Sequence, residues 1–452
     1  MNDNKNEKKI NHDEKQNINQ TNKKFIKIKV AILANEPIGW GSCKHYFPVI
    51  LNDYKWTKKD ITYKISAEYI YDKDICKGKL TTSKYDLLLV PGGGVGDGES
   101  IIQGFNRHPK VKKWKKNLSK FIKDGGGYVG ICGGTALLTG LNTGDKRKPT
   151  TFTERQYNKS SVGVSCVNSF YKYLAIPLIY PFQKNHPEKI GATGYVFSFS
   201  PGATKDGVEF FTGGVPVDFQ IFKNHPIFSD FPKDTERMRW WGGPALIIPD
   251  KPDRDITVLA RYPKEDFSKN PSTKINAWSY RGGILGLLKA LIKSFKIIKD
   301  RNISLNHLLT YAYYLAGNWS ISDKNIELDF PNKASITAEV YPNENKGRIL
   351  LCTAHPEYMI WWDGEIIESD PNDFNCLAKG LHKWINIHPL SKSVLSEMTY
   401  TWWVVRRFVA WAAKVPDENL PPISPGELNE GSKKLISDIF YDGDIVKQME
   451  NI

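Results

Sequence analysis

Gly126-Gly127-Tyr128-Val129-Gly130-Ile131-Cys132-Gly133-Gly134-Thr135-Ala136-Leu137-Leu138 reads as a short buried strand, a forced turn at Cys132 and the start of a helix. Within it, Gly130-Ile131-Cys132-Gly133-Gly134 has the Gly-x-nucleophile-x-Gly spacing of a nucleophile elbow. A nucleophile on a tight strand-to-helix turn has strained backbone angles, and a Cβ on either neighbour would crowd it. Such a turn lifts the sulfur clear of the sheet and sets it at a helix N-terminus. Free N–H groups there attract the negative charge of a thiolate, the reactive form. The plain alternative is a buried cysteine in a Gly-rich strand. The elbow is preferred because spacing, strand and helix start agree.

Working outward, Ile26 to Ala34 begins alternating and ends apolar, as a strand entering a core would. Phe47, Ile50, Leu51 and Tyr54 recur at helical spacing, and Ile61 to Ile70 is a second strand. Tyr85 to Val90 is a third, stopping at Pro91-Gly92-Gly93-Gly94. Val111, Trp114, Leu118, Phe121 and Ile122 then share one helix face, with lysines on the other, before the elbow strand. This alternation of short apolar strands and helices predicts a mostly parallel sheet covered on both faces. Ligands of such sheets sit at strand carboxyl ends, where both the Gly92-Gly93-Gly94 loop and Cys132 fall.

After Leu141 turn signals and aromatic clusters dominate, including Trp240-Trp241-Gly242-Gly243-Pro244. Asp255 to Tyr262 reads as a strand and Leu305 to Leu315 as helical. Ile284 to Ile298 is a basic amphipathic helix, with Ile284, Leu287, Leu288, Leu291, Ile292, Phe295 and Ile298 on one face and Lys289, Lys293 and Lys296 opposite. It reads first as a surface helix packed on the core, and alternatively as a helix resting on a membrane surface. Ser335 to Val340 and Arg348 to Ala354 form a hairpin whose return strand runs into His355-Pro356-Glu357. Phe374 to Ile387 reads as a closing helix, and Thr399 to Val415 as an aromatic, partly basic one. The implied layout is a polar tail at 1–24, a domain at 25–390 with a large α+β insertion at about 145–335, and a helical extension at 391–452.

Composition narrows the function. The formal charge is +14, from 63 Lys+Arg against 49 Asp+Glu, but lysine is spread along the whole chain. A solvated basic surface is therefore favoured over nucleic-acid or membrane attraction, and no nucleic-acid-binding signature accompanies the charge. Cys43, Cys76, Cys132, Cys166, Cys352 and Cys376 are scattered without a Cys-x-x-Cys pair. That argues against a metal site or disulfide framework and for a reducing, cytoplasmic setting. The polar first residues are no secretory signal, and no apolar run is long enough to span a bilayer. No cofactor is expected.

A cysteine nucleophile needs a base, and the base an orienting group. His355 and Glu357 supply both. Residues two apart on extended backbone point to one side, and Pro356 keeps His355 out of helix. The plain alternative for His355 is a histidine capping a strand end. His186-Pro187-Glu188 repeats the tripeptide, but no strand precedes it, so His355 is preferred. For the oxyanion, candidate backbone donors are the N–H of Gly133 and those of the Gly93-Gly94 loop. That loop lacks the Lys-Ser/Thr ending of a phosphate-binding P-loop.

Leu87 to Gly93, Gly130 to Gly134 and His355-Pro356-Glu357 together resemble the class I glutamine amidotransferase-like superfamily. With Thr135-Ala136 and Trp241-Gly242-Gly243-Pro244, they are similar to its branch typified by the N-terminal domain of eukaryotic biotin–protein ligases. The resemblance covers roughly residues 27–145 and 330–390. It implies a flavodoxin-like α/β fold and a Cys132–His355–Glu357 triad acting on a small-molecule amide, with an acceptor enzyme as a partner to look for. Thr135-Ala136-Leu137 replaces the His/Phe-Gln of glutamine users, and His355 lies 223 residues (355 − 132) after Cys132, so a long insertion overhangs the site. The expected function is that of an amidotransferase-like thiol hydrolase or transferase. The alternatives are a catalytically silent ligand-binding or regulatory module on the same fold, and a peripheral membrane protein using the 284–298 and 399–415 helices.

Overall fold

The computed structural model describes residues 24–34, 41–92, 111–141, 162–170, 199–204, 207–212, 215–240, 243–264, 274–280, 283–300, 305, 308, 312, 317–325, 331–357, 359–361 and 398–424. The helix expected at 374–387 lies outside them.

The centre is one sheet. The strands of its main path in chain order are β1 (Lys24–Leu33), β2 (Lys55–Lys58), β3 (Ile61–Ile70), β4 (Leu87–Val90), β5 (Gly127–Ile131), β6 (Val215–Ile221), β7 (Thr235–Trp240), β8 (Ile256–Arg261), β9 (Ala334–Val340) and β10 (Arg348–Cys352), and three short strands, Gly140–Leu141, Asn168–Phe170 and Ala245–Ile247, pair beside that path. Across the sheet they run β7-β6-β8-β9-β10-β5-β4-β1-β3-β2. The contiguous set β3, β1, β4, β5 and β10 is parallel throughout. Taken by their order in the chain, these five stand 2-1-3-4-5, the flavodoxin-like doubly wound arrangement. β2 closes one edge antiparallel, and β9, β8, β6 and β7 extend the other edge antiparallel. The expected flavodoxin-like sheet is thus present, with an antiparallel flank of which β6, β7 and β8 fall within residues 145–335.

Continuous apolar runs can be buried on both faces, and those at Val30–Leu33, Leu87–Val90 and Ile349–Cys352 are. Ile28, Val30, Ile32, Leu89, Val129 and Leu350 join one core, with Phe47 and Ile50 of helix α1 (Gly41–Leu51). Ala31, Leu33, Leu88, Val90, Tyr128 and Leu351 join the other. That second core takes Ile75 from α2 (Asp72–Cys76) and Trp114, Leu118, Phe121 and Ile122 from α3 (Val111–Lys123). Gly125, at φ +99°, ends α3 by letting Gly125 N–H reach Ile122 O and Gly126 N–H reach Phe121 O. The short helix α4 (Gly133–Leu138) follows β5.

Two further helices depart from the sequence reading in where they pack. α5 (Gly283–Asp300) turns most of its described large apolar residues outward, with Ile284 81% and Ile292 73% exposed and Leu291 partly buried. α6 (Trp402–Ala412) is buried along almost its whole length, in the first core. It packs against β4, β5 and β10, so its aromatic face is not available to a membrane. Behind it, Trp56 Nε1 donates to Asn419 O at 2.8 Å, tying the end of the described chain to β2. Among the described residues no helix is long and apolar enough to cross a membrane.

Candidate active site

Parallel register puts three carboxyl ends side by side. Val90 pairs with Gly130 and Cys352 with Ile131, so β4, β5 and β10 stop at one edge. Pro91-Gly92 leaves the first, Cys132 the second and Thr353-Ala354-His355 the third.

Cys132 has φ +47° and ψ −105°, a region a residue with a side chain rarely enters. Its neighbours hold it there. Cys132 N–H donates to Cys352 O at 2.7 Å, and Cys132 O accepts from Thr135 and Ala136 N–H at 3.0 and 3.2 Å. A Cβ on Gly134 would lie 2.1 Å from Val90 O, so only glycine lets α4 start this close to β4. This is the strained turn that the spacing predicts. Cys132 is 8% exposed.

His355 and Glu357 are both buried, and His355 Nδ1 lies 2.7 Å from Glu357 Oε1. With the carboxylate accepting from Nδ1–H, the second ring nitrogen, Nε2, is left to act as acceptor. His355 N–H donates to Arg239 O at 2.7 Å, so β7 fixes the histidine backbone from the side opposite the elbow.

Gly92 joins the two halves. A Cβ built on it would stand 2.4 Å from His355 Cε1 and 3.0 Å from Cys132 Cβ. The imidazole and the cysteine side chain therefore both crowd the same bare glycine backbone. Gly133 is the first residue of α4, so its N–H has no carbonyl behind it in the helix. Gly93 and Gly94 lie outside the described residues, as do His186, Trp241 and Gly242.

Several supports were not read from the sequence. Thr135 Oγ1 is 2.8 Å from both Gly130 O and Cys352 O, bridging the elbow strand and the histidine strand. Tyr262 Oη lies 2.7 Å from Thr353 Oγ1 and 2.9 Å from Pro244 O. Gly243 packs so closely on Thr353 that a Cβ would be 1.9 Å from its carbonyl oxygen, which explains a glycine at 243. From α6, Thr401 Oγ1 donates to Pro356 O at 2.7 Å and Trp402 Nε1 to Glu357 O at 3.0 Å. Thr135 follows the elbow directly and could have been noticed; the Thr401 and Trp402 contacts carry no sequence signal, because the partners are 45 residues apart.

The buried thiol of the histidine strand is different. Cys352 has no exposed surface, and burial pushes its thiol well above the ordinary range, with Glu357 and Cys132 adding to the shift.

No family model matches the chain. The chain is 28% identical over 90 residues to the phosphoribosylformylglycinamidine synthase subunit PurQ of Picrophilus torridus. That match takes in 19% of this chain and 36% of that protein, so the chain spans about a third of the length of the curated relative it matches. Among solved structures it is similar to a glutamine amidotransferase from Thermotoga maritima, at 14% identity and a TM-score of 0.24, over 63% of this chain and 90% of that one. It is also similar to a ThuA-like protein from Bacteroides uniformis, at 12% identity and a TM-score of 0.26, over 73% and 82%.

Proposed function

We propose that this protein is an amidotransferase-like thiol hydrolase or transferase of the class I glutamine amidotransferase-like superfamily, in the branch of the biotin–protein ligase N-terminal domain. It would cleave an amide or related acyl C–N bond in the cytoplasm, with Cys132 as nucleophile, His355 as base and then acid, and Glu357 orienting the imidazole. The observation that supports this most is the closeness of both Cys132 and His355 to Gly92, with His355 Nδ1 hydrogen-bonded to the buried Glu357 side chain.

The chemistry follows from those positions. His355 Nε2 takes the thiol proton as sulfur attacks the carbonyl carbon. The C=O electron pair moves to oxygen, where the N–H of Gly133 can stabilise it. Collapse expels the amine, which takes the proton from the imidazolium, and leaves a thioester on Cys132. Water then attacks with His355 again as base, and the acid departs as the thiolate regains a proton. Glu357 holds the tautomer and balances the transient positive ring.

The test is ammonia or amine release from a panel of small amides that includes glutamine, with intact-mass detection of the acylated chain. At least one amide should give turnover that Cys132→Ser abolishes and His355→Ala lowers by about 10²–10⁴-fold. No adduct with any amide, together with His355-independent alkylation of Cys132, would reject the triad.

A further inference from the structure

α5 is inverted relative to an ordinary surface helix. Among its described side chains, those it buries fully are small, with Leu291 partly buried beside them. Ala290 and Ser294, one turn apart, are covered, Ser294 Oγ donates to Ala290 O at 2.6 Å, and Ala312 packs alongside. What it exposes is large. Ile284, Leu288, Ile292 and Phe295 follow one another at i, i+4, i+8 and i+11, a single stripe, and are 81%, 51%, 73% and 52% exposed, with Leu285 beside them. Lys289, Lys293 and Lys296 form the adjoining stripe, also exposed. Asp300, the terminal residue, is the helix's single acid.

We infer that α5 is an interfacial helix that docks this protein on an anionic lipid surface. Its apolar stripe enters the headgroup–acyl boundary while its lysines stay among the headgroups. An isolated amphipathic helix with a lysine border and large aliphatic and aromatic residues does this in the plane of a bilayer. Lysine stems reach outward along the apolar surface while the ammonium remains wet. A second copy of the chain fits less well. Pairing α5 with itself would bring lysine rows together with no acid on the facing stripes to answer them. The proposal is independent of the Cys132 chemistry.

Flotation of the full chain with phosphatidylcholine vesicles, and with vesicles of phosphatidylcholine and phosphatidylglycerol in equal parts, tests it. Binding is expected to the second only, weakening as salt is raised. The double variant Leu288→Glu, Ile292→Glu should float no better than with neutral vesicles, while its melting temperature stays unchanged because both side chains are solvent-facing. The variant Lys289→Gln, Lys293→Gln, Lys296→Gln keeps the apolar stripe and should lower partitioning about a hundredfold at low salt. Absence of wild-type binding, or binding untouched by either variant, overturns the proposal. So does a wild-type dimer that the glutamate variant splits, which would make a second copy the occupant. A glutamate variant that melts early while the wild type ignores lipid would mean that the chain covers this face itself, and overturns it equally.

Discussion

At Cys132 the backbone adopts φ +47°, and the hydrogen bonds that enforce it come from the neighbouring strand and the following helix rather than from the cysteine side chain. Strain held by surroundings is what a working nucleophile needs, since a relaxed turn would let sulfur fall back toward the sheet. Two residue-level expectations follow. Iodoacetamide near neutral pH should label Cys132 much faster than Cys352, whose thiol is fully covered and raised by burial. Peptide mass spectrometry at timed intervals reads both, and His355→Ala should slow Cys132 alone. The second concerns Gly92. In Gly92→Ala the new methyl would overlap His355 Cε1, while the cost of moving one ring is small beside that of moving backbone. The variant should therefore melt within a few degrees of wild type yet lose the His355-dependent part of Cys132 labelling. Gly134→Ala is the contrast: its Cβ meets Val90 O, so stability itself should fall, by about 1–3 kcal/mol.

At the scale of elements, what could be read from sequence was what has a short repeat. The strand at Ile61–Ile70, the helix α3 with its buried face and the bounds of α5 stand where periodicity puts them, because apolar spacing is set within each element, while the outward turn of the α5 face is not written in that spacing. The elbow and the His355–Glu357 pair were legible for the same reason: each is a local motif. β6 and β7 were not. Thr-Glu-Arg-Met-Arg-Trp alternates but carries three charged residues, and only its place on the outer edge of the sheet makes that a strand. α6 was recognised as a helix but placed in an extension, since nothing in its sequence says which surface covers it. It covers the sheet beneath the site, and Thr401 and Trp402 at its start hold the backbone of Pro356 and Glu357. Arg348 Nη1 donates to Trp411 O, locking the far end to β10. A chain ending at residue 397 should accordingly not fold. Five of the large apolar side chains of α6 at about 2 kcal/mol each are worth about 10 kcal/mol. That is comparable to a domain's whole stability of about 5–15 kcal/mol. Loss of a cooperative urea transition in the shortened chain is the expected result; a sharp transition would make the 391–452 segment a dispensable appendage.

For the molecule as a whole, two buried groups on the antiparallel flank pull the pH dependence of stability in opposite directions. Glu236, on β7, is raised to about 7 by burial, with Asp218 adding to the shift and Lys233 opposing it. Its folded form holds a proton that the unfolded chain has released, so its contribution is complete below about 4.5 and drains away as pH rises to 7. His225, edge-on to Trp411, is lowered to about 4 by burial and by the nearby Arg348 charge. It stays neutral in the fold while the unfolded imidazole protonates, so its contribution is complete above about 6.5 and drains away as pH falls to 4. Each shift corresponds to about 3 kcal/mol. Between pH 4.5 and 6.5 the two slopes are of equal size and opposite sign, and from these groups the wild type should show a nearly level stability there. Removing one should expose the other. Glu236→Gln, which cannot titrate, should gain stability over wild type progressively above pH 4.5, reaching about 3 kcal/mol by pH 7. Its own urea midpoint should then climb with pH across the range where the wild type is flat, as His225 sheds its penalty. Urea titrations of both proteins at pH 4.5, 5.5, 6.5 and 7.5 decide it. A constant difference between them at all four values would mean that Glu236 is already ionised in the fold and that water, or a cation, reaches it beneath the flank.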